Sequence, residues 1–354
     1  MREILVTCYT DVQVLTVIQM RLTLYSNDEV DIIIFDHFKS SKMIYDNLSK
    51  QNIFRKVIYL HSNENDYRQS YFKDIKDLIR FKVINKEKYL CSLGLSKRYD
   101  EIIFHNFTYL IYMIFDYYSR CRSNVRFSCI EEGILSYNQN LNIGKRVKIL
   151  NWFNGKKNNI FNKISRYYCF YPNFKKKKFE KEIVEIPAIR KNLNQFLNLV
   201  NEIYEYEPLN IKEKYIFFGN SMCIDGTCDQ EPSVIKKVAD KIGIENLIVK
   251  IHPRERKEIY QNIGVKVMEN AFLPWEIYYL NFNFESQIFL STVSNAFLNA
   301  FMLKEKNAKG VFLFPLIEEN DYIKQRGIEI KEMLVSMHRA GIMQNCVIGR
   351  LEDL

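Results

Sequence analysis

A chain of 354 residues that is 47% hydrophobic and 14% aromatic can bury two ordinary domain cores, which excludes a disordered protein. No apolar run is long enough to cross a bilayer, so an integral helical membrane protein is excluded as well. The formal net charge is +9, and the eight cysteines are scattered without a CxxC pair. Behind an amino terminus that enters a strand with no signal peptide, those cysteines read as reduced thiols of a cytoplasmic protein, soluble or peripheral at the inner face of the membrane.

In chain order, Glu3–Cys8 reads as a strand, and from Asp11 the apolar spacing of Val14, Leu15, Val17, Ile18 and Leu22 is helical. Asp31–Phe35 is a second strand ending at Asp36-His37, followed by a helix over Ser40–Lys50. Lys56–Leu60 is a third strand, with a long helical region from Tyr67 to about Asn85. Glu101–Phe104, ending at His105-Asn106, is a fourth; Tyr109–Tyr118 is the next helix. Val125–Ile130 is a fifth strand that stops at Glu131-Glu132-Gly133. Strands alternating with helices predict a parallel sheet covered on both faces.

Residues of about 144–182 form a basic-aromatic insertion. Lys145, Arg146, Lys156, Lys157, Arg166 and the run Lys175–Lys178 are interleaved with Trp152, Phe153, Phe161, Tyr167, Tyr168, Phe170, Tyr171, Phe174 and Phe179. Such a segment suits an anionic membrane surface, or it is a solvated insertion with a few anchoring aromatics. No recognition motif for nucleic acid accompanies it.

Ile189–Tyr204 has helical spacing and is expected to bridge to a second domain that repeats the rhythm. Strand candidates begin at Tyr215, Leu247, Val265, Gln287 and Val311, and the tail from Tyr322 to Leu354 is partly helical. The division is expected at 186/187, giving domains 1–186 and 187–354. Ligands of open α/β sheets bind outside the carboxyl ends of the strands, so the polar residues there are the site candidates. Tyr215–Phe218 runs into Gly219-Asn220. Leu247–Ile251 stops at His252-Pro253-Arg254. Proline suits a first helical position, which makes His252 an N-cap beside free N–H groups able to hold a phosphate; the plainer alternative is a histidine that only closes a turn. Gln287–Leu290 leads to Ser291, Thr292 and Ser294 at a strand-to-helix handover, where hydroxyls cap helices with or without a ligand. Glu276, after Pro274, suits ribose hydroxyls or simply a helix start. There is no Walker A and no GxGxxG motif.

Glu131-Glu132-Gly133, His252-Pro253 and Ser291-Thr292 occur in this order, and the set resembles the acidic-acidic-glycine, His-Pro and Ser-Ser/Thr motifs of bacterial sialyltransferases. The opening from Val6 to Leu15 is similar to the amino terminus of glycosyltransferase family 52, which includes lipooligosaccharide and capsular sialyltransferases. The resemblance implies an α/β chain of GT-B architecture, two Rossmann-like domains with parallel sheets facing a central cleft. It implies an inverting transfer of sialic acid from CMP-sialic acid to a galactose-terminated surface glycan, with no cofactor and no divalent metal. Glu132 would be the base, His252 would bind the phosphate and act as acid, with Pro253 and Arg254 beside it. Ser291, Thr292 and Ser294 would hold the phosphate with Gly219 and Asn220 at the same edge, and Glu276 the ribose. Asp225 and Asp229, in the loop after the Tyr215 strand, compete with Glu132, because family 52 enzymes resemble one another in an aspartate upstream of His-Pro. Partners are then a nucleotide-sugar donor and a glycan acceptor, with a homodimer suggested by relatives. Two alternatives stay open: another nucleotide sugar, or a non-catalytic glycan- or nucleotide-binding subunit of a capsule assembly complex.

Overall fold

The computed structural model describes residues 1–61, 83–95, 98–121, 124–137, 160–174, 181–252, 254–269, 273–303, 308–318, 320–339, 341 and 343–354. It divides into two compact units, Met1–Glu205 and Tyr206–Leu354.

The first unit carries a seven-stranded parallel sheet in the order β3-β2-β1-β4-β5-β6-β7. Its strands are β1 Glu3–Cys8, β2 Glu29–Phe35, β3 Lys56–Leu60, β4 Glu101–Phe104, β5 Arg126–Ile130, β6 Ile164–Cys169 and β7 Glu182–Glu185. Strands β1, β2 and β4 are apolar almost throughout because helices cover both faces of a parallel sheet; Ile4, Ile32, Ile33 and Ile102 are fully buried. The order reverses between β1 and β4, so the crevice at the carboxyl end opens there.

The second unit has a six-stranded parallel sheet, β10-β9-β8-β11-β12-β13, reversing between β8 and β11. The strands are β8 Tyr215–Phe218, β9 Leu247–Lys250, β10 Lys266–Val267, β11 Ile288–Ser291, β12 Lys309–Phe312 and β13 Cys346–Ile348. Phe218 lies in register with Lys250 on one side and Ser291 on the other, and Ser291 with Phe312. The four strands therefore end level, and the loops that leave them emerge on one edge. Behind that edge an aromatic cluster of Phe218, Trp275, Phe289 and Phe297 packs ring on ring, with centroids 4.9 to 6.2 Å apart.

Several expectations change. The stretch read as an insertion supplies β6 and runs up to the first residue of β7. Tyr167, Tyr168 and Cys169 are core residues, and Tyr168 donates to the buried Glu101 at 2.8 Å. Lys145, Arg146, Trp152, Phe153, Lys156, Lys157, Lys175–Lys178 and Phe179 lie outside the described residues, as does the helix expected from Tyr67 up to residue 82. Helix Leu193–Ile203 buries Phe196, Val200 and Ile203 and packs on helices Asp11–Leu22 and Ser41–Leu48. The first compact unit thus runs to Glu205, beyond the division expected at 186/187. The tail forms helix Asp321–Arg339 and then β13, which pairs with β12 and completes the second sheet. Among the described residues, no helix is long and apolar enough to cross a membrane.

Candidate functional site

In the first unit, three loops meet at the carboxyl edge beside the β1/β4 reversal. Thr10 caps helix Asp11–Leu22 through the Gln13 N–H, which puts the Gln13 side chain under the β4 and β5 ends. Its Nε2 donates to Asn106 Oδ1 and to Glu132 Oε1, each at 2.9 Å, while its Oε1 accepts from the Tyr9 N–H at 2.7 Å. Gln13 is fully buried, so this amide is an internal bracket with every polar group matched.

The second bracket is His105. Its Nδ1 lies 2.8 Å from the Ile130 carbonyl oxygen, which can only accept, so Nδ1 carries a proton. Its Nε2 lies 3.0 Å from Glu132 Oε2. Held by Gln13 on one oxygen and His105 on the other, Glu132 keeps a free lone pair on each, and its side chain is 30% exposed. A positioned carboxylate of this kind can take a proton from a hydroxyl brought to the edge.

Glu131 does different work. It is buried, takes hydrogen bonds from the Tyr137 hydroxyl and from the Phe170 N–H at 3.2 Å, and ties the β5 end to the β6 end. Desolvation, with the carboxylate beside it, pushes the Tyr137 phenol well above its usual range, so it stays a donor.

In the second unit, His252 follows β9 but does not cap a helix. The Glu255 N–H donates to the His252 carbonyl at 2.9 Å, and the next helix, Lys257–Gln261, starts later with Arg256 as its cap. Pro253 lies outside the described residues. The phosphate argument from a helix start at His252 therefore lapses, and what remains is the ring. Its Nδ1 accepts from the Arg254 N–H at 3.3 Å, which leaves Nε2 as the donor. Burial, then the Arg254 and Lys250 cations, lower the imidazole pKa, so at neutral pH the ring is an uncharged donor.

Arg254 is engaged. Its guanidinium grips Asp225 through both carboxylate oxygens, at 2.9 and 3.1 Å, and reaches Ser221 Oγ at 2.9 Å. The Ser221 hydroxyl and Arg254 hold the Asp225 carboxyl below the usual range, which makes it a weak base. Asp229 is exposed at the end of the same loop.

Ser291 and Thr292 are not helix caps either. Both are fully buried; Ser291 Oγ donates to the Phe218 carbonyl at 2.9 Å and accepts from the Ser294 N–H at 2.9 Å. The hydroxyl that accepts from the start of helix Ala296–Leu303 is that of Ser294, from Ala296 N–H at 3.4 Å. Thr292 donates to Glu231, a buried carboxyl that opens helix Glu231–Ile242 and also binds Asn220. Burial raises the Glu231 pKa, and the bonds from Asn220 and Thr292 oppose that. At Gly219 a Cβ would stand 2.9 Å from the Tyr260 hydroxyl, so this glycine admits a buried tyrosine to the edge. Glu276 is 5% exposed in the first turn of helix Trp275–Asn281, and its charge supports the Lys250 ammonium, whose pKa burial lowers.

The structure thus gathers Glu132 at one edge and Gly219, Asn220, Thr292, His252 and Arg254 along another, each within its own unit. Gln13, His105, Asn106 and Glu231 were missed as site residues. Each sits at or just after a strand or helix end, a signal visible for His105-Asn106 but shared with every other loop. Among the described residues no three His, Cys, Asp or Glu side chains are grouped to hold a metal ion.

No family model and no curated protein matches the sequence. Solved structures do. An α/β-galactoside α-2,3-sialyltransferase from Photobacterium phosphoreum is similar over 99% of both chains, at 14% identity and a TM-score of 0.51. LpCGTa in complex with UDP is similar over 99% of this chain and 88% of that one, at 10% identity and a TM-score of 0.50. At such identities the likeness shows the fold, which is that of GT-B glycosyltransferases.

Proposed function

We propose that the chain is a glycosyltransferase, and more finely an inverting, metal-independent sialyltransferase that moves sialic acid from CMP-sialic acid to a terminal galactose of a lipooligosaccharide or capsule. The observation that carries this reading is the Glu132 carboxylate, bracketed by Gln13 and His105 at the crevice of a GT-B amino-terminal sheet. Support for the donor comes from the ordered motifs around Glu132, His252 and Thr292. In this scheme Glu132 takes the proton of the acceptor hydroxyl as its oxygen attacks the anomeric carbon. The bond from that carbon to the phosphate oxygen breaks, its electron pair stays on CMP, and the His252 Nε2–H donates to the phosphate. His105 and Gln13 hold the base in place. Asp225, paired with Arg254, is the weaker candidate for that role.

The test is CMP release and transfer to lactose, with and without EDTA, for wild type, Glu132→Gln and His252→Ala. Turnover that persists in EDTA and collapses in both variants supports the reading. Turnover only with a different nucleotide sugar would move the assignment within the glycosyltransferases, and a folded protein with no turnover on any of them would make it a binding subunit. Peripheral attachment to anionic lipid belongs to the same proposal; liposome flotation checks it, and equal recovery with neutral lipid overturns it.

A further inference from the structure

Asn220 follows β8 across Gly219, and the two ends of its side-chain amide stand in different surroundings. Its Nδ2 donates to Glu231 Oε1 at 2.7 Å and to Thr292 Oγ1 at 3.0 Å, and its backbone N–H donates to Glu231 Oε2 at 2.8 Å. The Thr292 hydroxyl donates to Glu231 as well. Glu231 is 1% and Thr292 0% exposed, so the cluster is dry. A flip of the amide would set Asn220 Oδ1 against a buried carboxyl oxygen and a hydroxyl that already donates elsewhere, at a large desolvation cost. Orientation is therefore determined: both Nδ2 hydrogens point into the cluster, and Oδ1 is the group left on the half-buried side. An amide oxygen only accepts. It matches a hydroxyl or an amine and does not match a phosphate oxygen, which accepts too.

We propose that Asn220 is a specificity-determining residue of the nucleotide site, accepting through Oδ1 a hydrogen bond from a hydroxyl or amino group of the donor's nucleoside, and that Glu231 is the positioning residue that sets its amide. This rests on the nucleotide-sugar reading above, and it moves Asn220 from the phosphate to the nucleoside. Glu231 acts through Asn220 and Thr292 and joins the β8 edge to the β11 edge within one network.

The experiment titrates wild type, Asn220→Ala and Glu231→Gln with CMP, 2′-deoxy-CMP, 3′-deoxy-CMP, UMP and pyrophosphate at fixed salt. Wild type is expected to bind one analogue about tenfold more weakly than CMP, the loss of one hydrogen bond to a site built to receive it. A deoxy analogue would identify a ribose hydroxyl and UMP the exocyclic amine. Asn220→Ala is expected to bind CMP about as weakly as wild type binds that analogue, to lose the discrimination, and to keep its pyrophosphate affinity. Glu231→Gln turns an amide NH2 toward donors, releases the Asn220 amide, and follows the same pattern; a purely structural role would weaken pyrophosphate equally. Because Glu231 is buried, circular dichroism and melting check its fold, and the half-exposed Asn220→Ala decides the matter should Glu231→Gln unfold. Discrimination that survives Asn220→Ala overturns the proposal and leaves the nucleotide reading standing. No binding of any nucleotide by wild type overturns both.

Discussion

Adjacent residues at a strand end do opposite jobs here. Glu131 continues the pleat of β5 inward, its N–H bonded to the Tyr168 carbonyl at 3.0 Å, and anchors β6; Glu132 turns out to meet Gln13 and His105. The pair of acids was legible in the sequence, but which of them faces the crevice depends on where the strand stops. Glu132→Gln should lower turnover by roughly 10²- to 10⁴-fold, the usual worth of a positioned proton acceptor, with a melting temperature near that of wild type. His105→Ala should lose about 10²-fold in kcat through misplacement of the carboxylate, with KM little changed; a selective rise in KM would make the histidine a binding group. His252 supplies a pH prediction. Its folded pKa lies below the unfolded value, so as pH falls below about 6.5 the unfolded chain takes up the proton first. The stability it contributes is full above that pH and is lost as pH falls through the folded pKa. Melting curves from pH 7.5 to 5.5 should show wild type losing ground to His252→Gln toward acid; parallel curves would mean an unburied ring.

At the scale of elements, glycines mark where packing is tightest. A Cβ on Gly327, inside helix Asp321–Arg339, would stand 2.8 and 2.9 Å from the Phe314 ring. Alanine there gains about 1 kcal/mol of helix propensity, against about 1–3 kcal/mol for overpacking. On Gly310 in β12 the Cβ would meet Phe297 at 2.8 Å and Cys346 Sγ at 2.9 Å, two fully buried side chains with less room to give way than the Phe314 ring, against a similar entropic gain of about 0.5–1 kcal/mol. Thermal melts should therefore rank Gly310→Ala as the more damaging, with Gly327→Ala between it and wild type. Strands β1 to β5 were legible because their apolar runs are bounded by polar turns. β6 was not, since Ile-Ser-Arg-Tyr-Tyr-Cys mixes charge with aromatics whose burial depends on β5. β7 is a half-exposed edge strand and β13 has three residues, so neither has a strong pattern of its own.

At the scale of the whole molecule, Tyr206–Leu354 contains a complete sheet, its aromatic core and every residue proposed for the nucleotide. Expressed alone, it should melt cooperatively and retain CMP binding measurable by calorimetry, while Met1–Glu205 should bind no nucleotide. Nucleotide binding by the first unit alone would reverse the proposed roles. What the sequence by itself determined is the alternation of apolar strands with helices, and hence two parallel sheets with polar residues at their carboxyl ends; that information is local, carried by periodicity and by the residues that end each run. Tertiary structure alone decided which polar groups are free to act. Ser291, Thr292 and Asp225 are engaged by neighbours 73, 61 and 29 residues away in the chain, and Glu132 is bracketed by Gln13 across 119. A hydrogen bond satisfied across such a separation leaves no trace in the local pattern, because what neutralises a side chain or frees it is the strand order that brings its partner alongside.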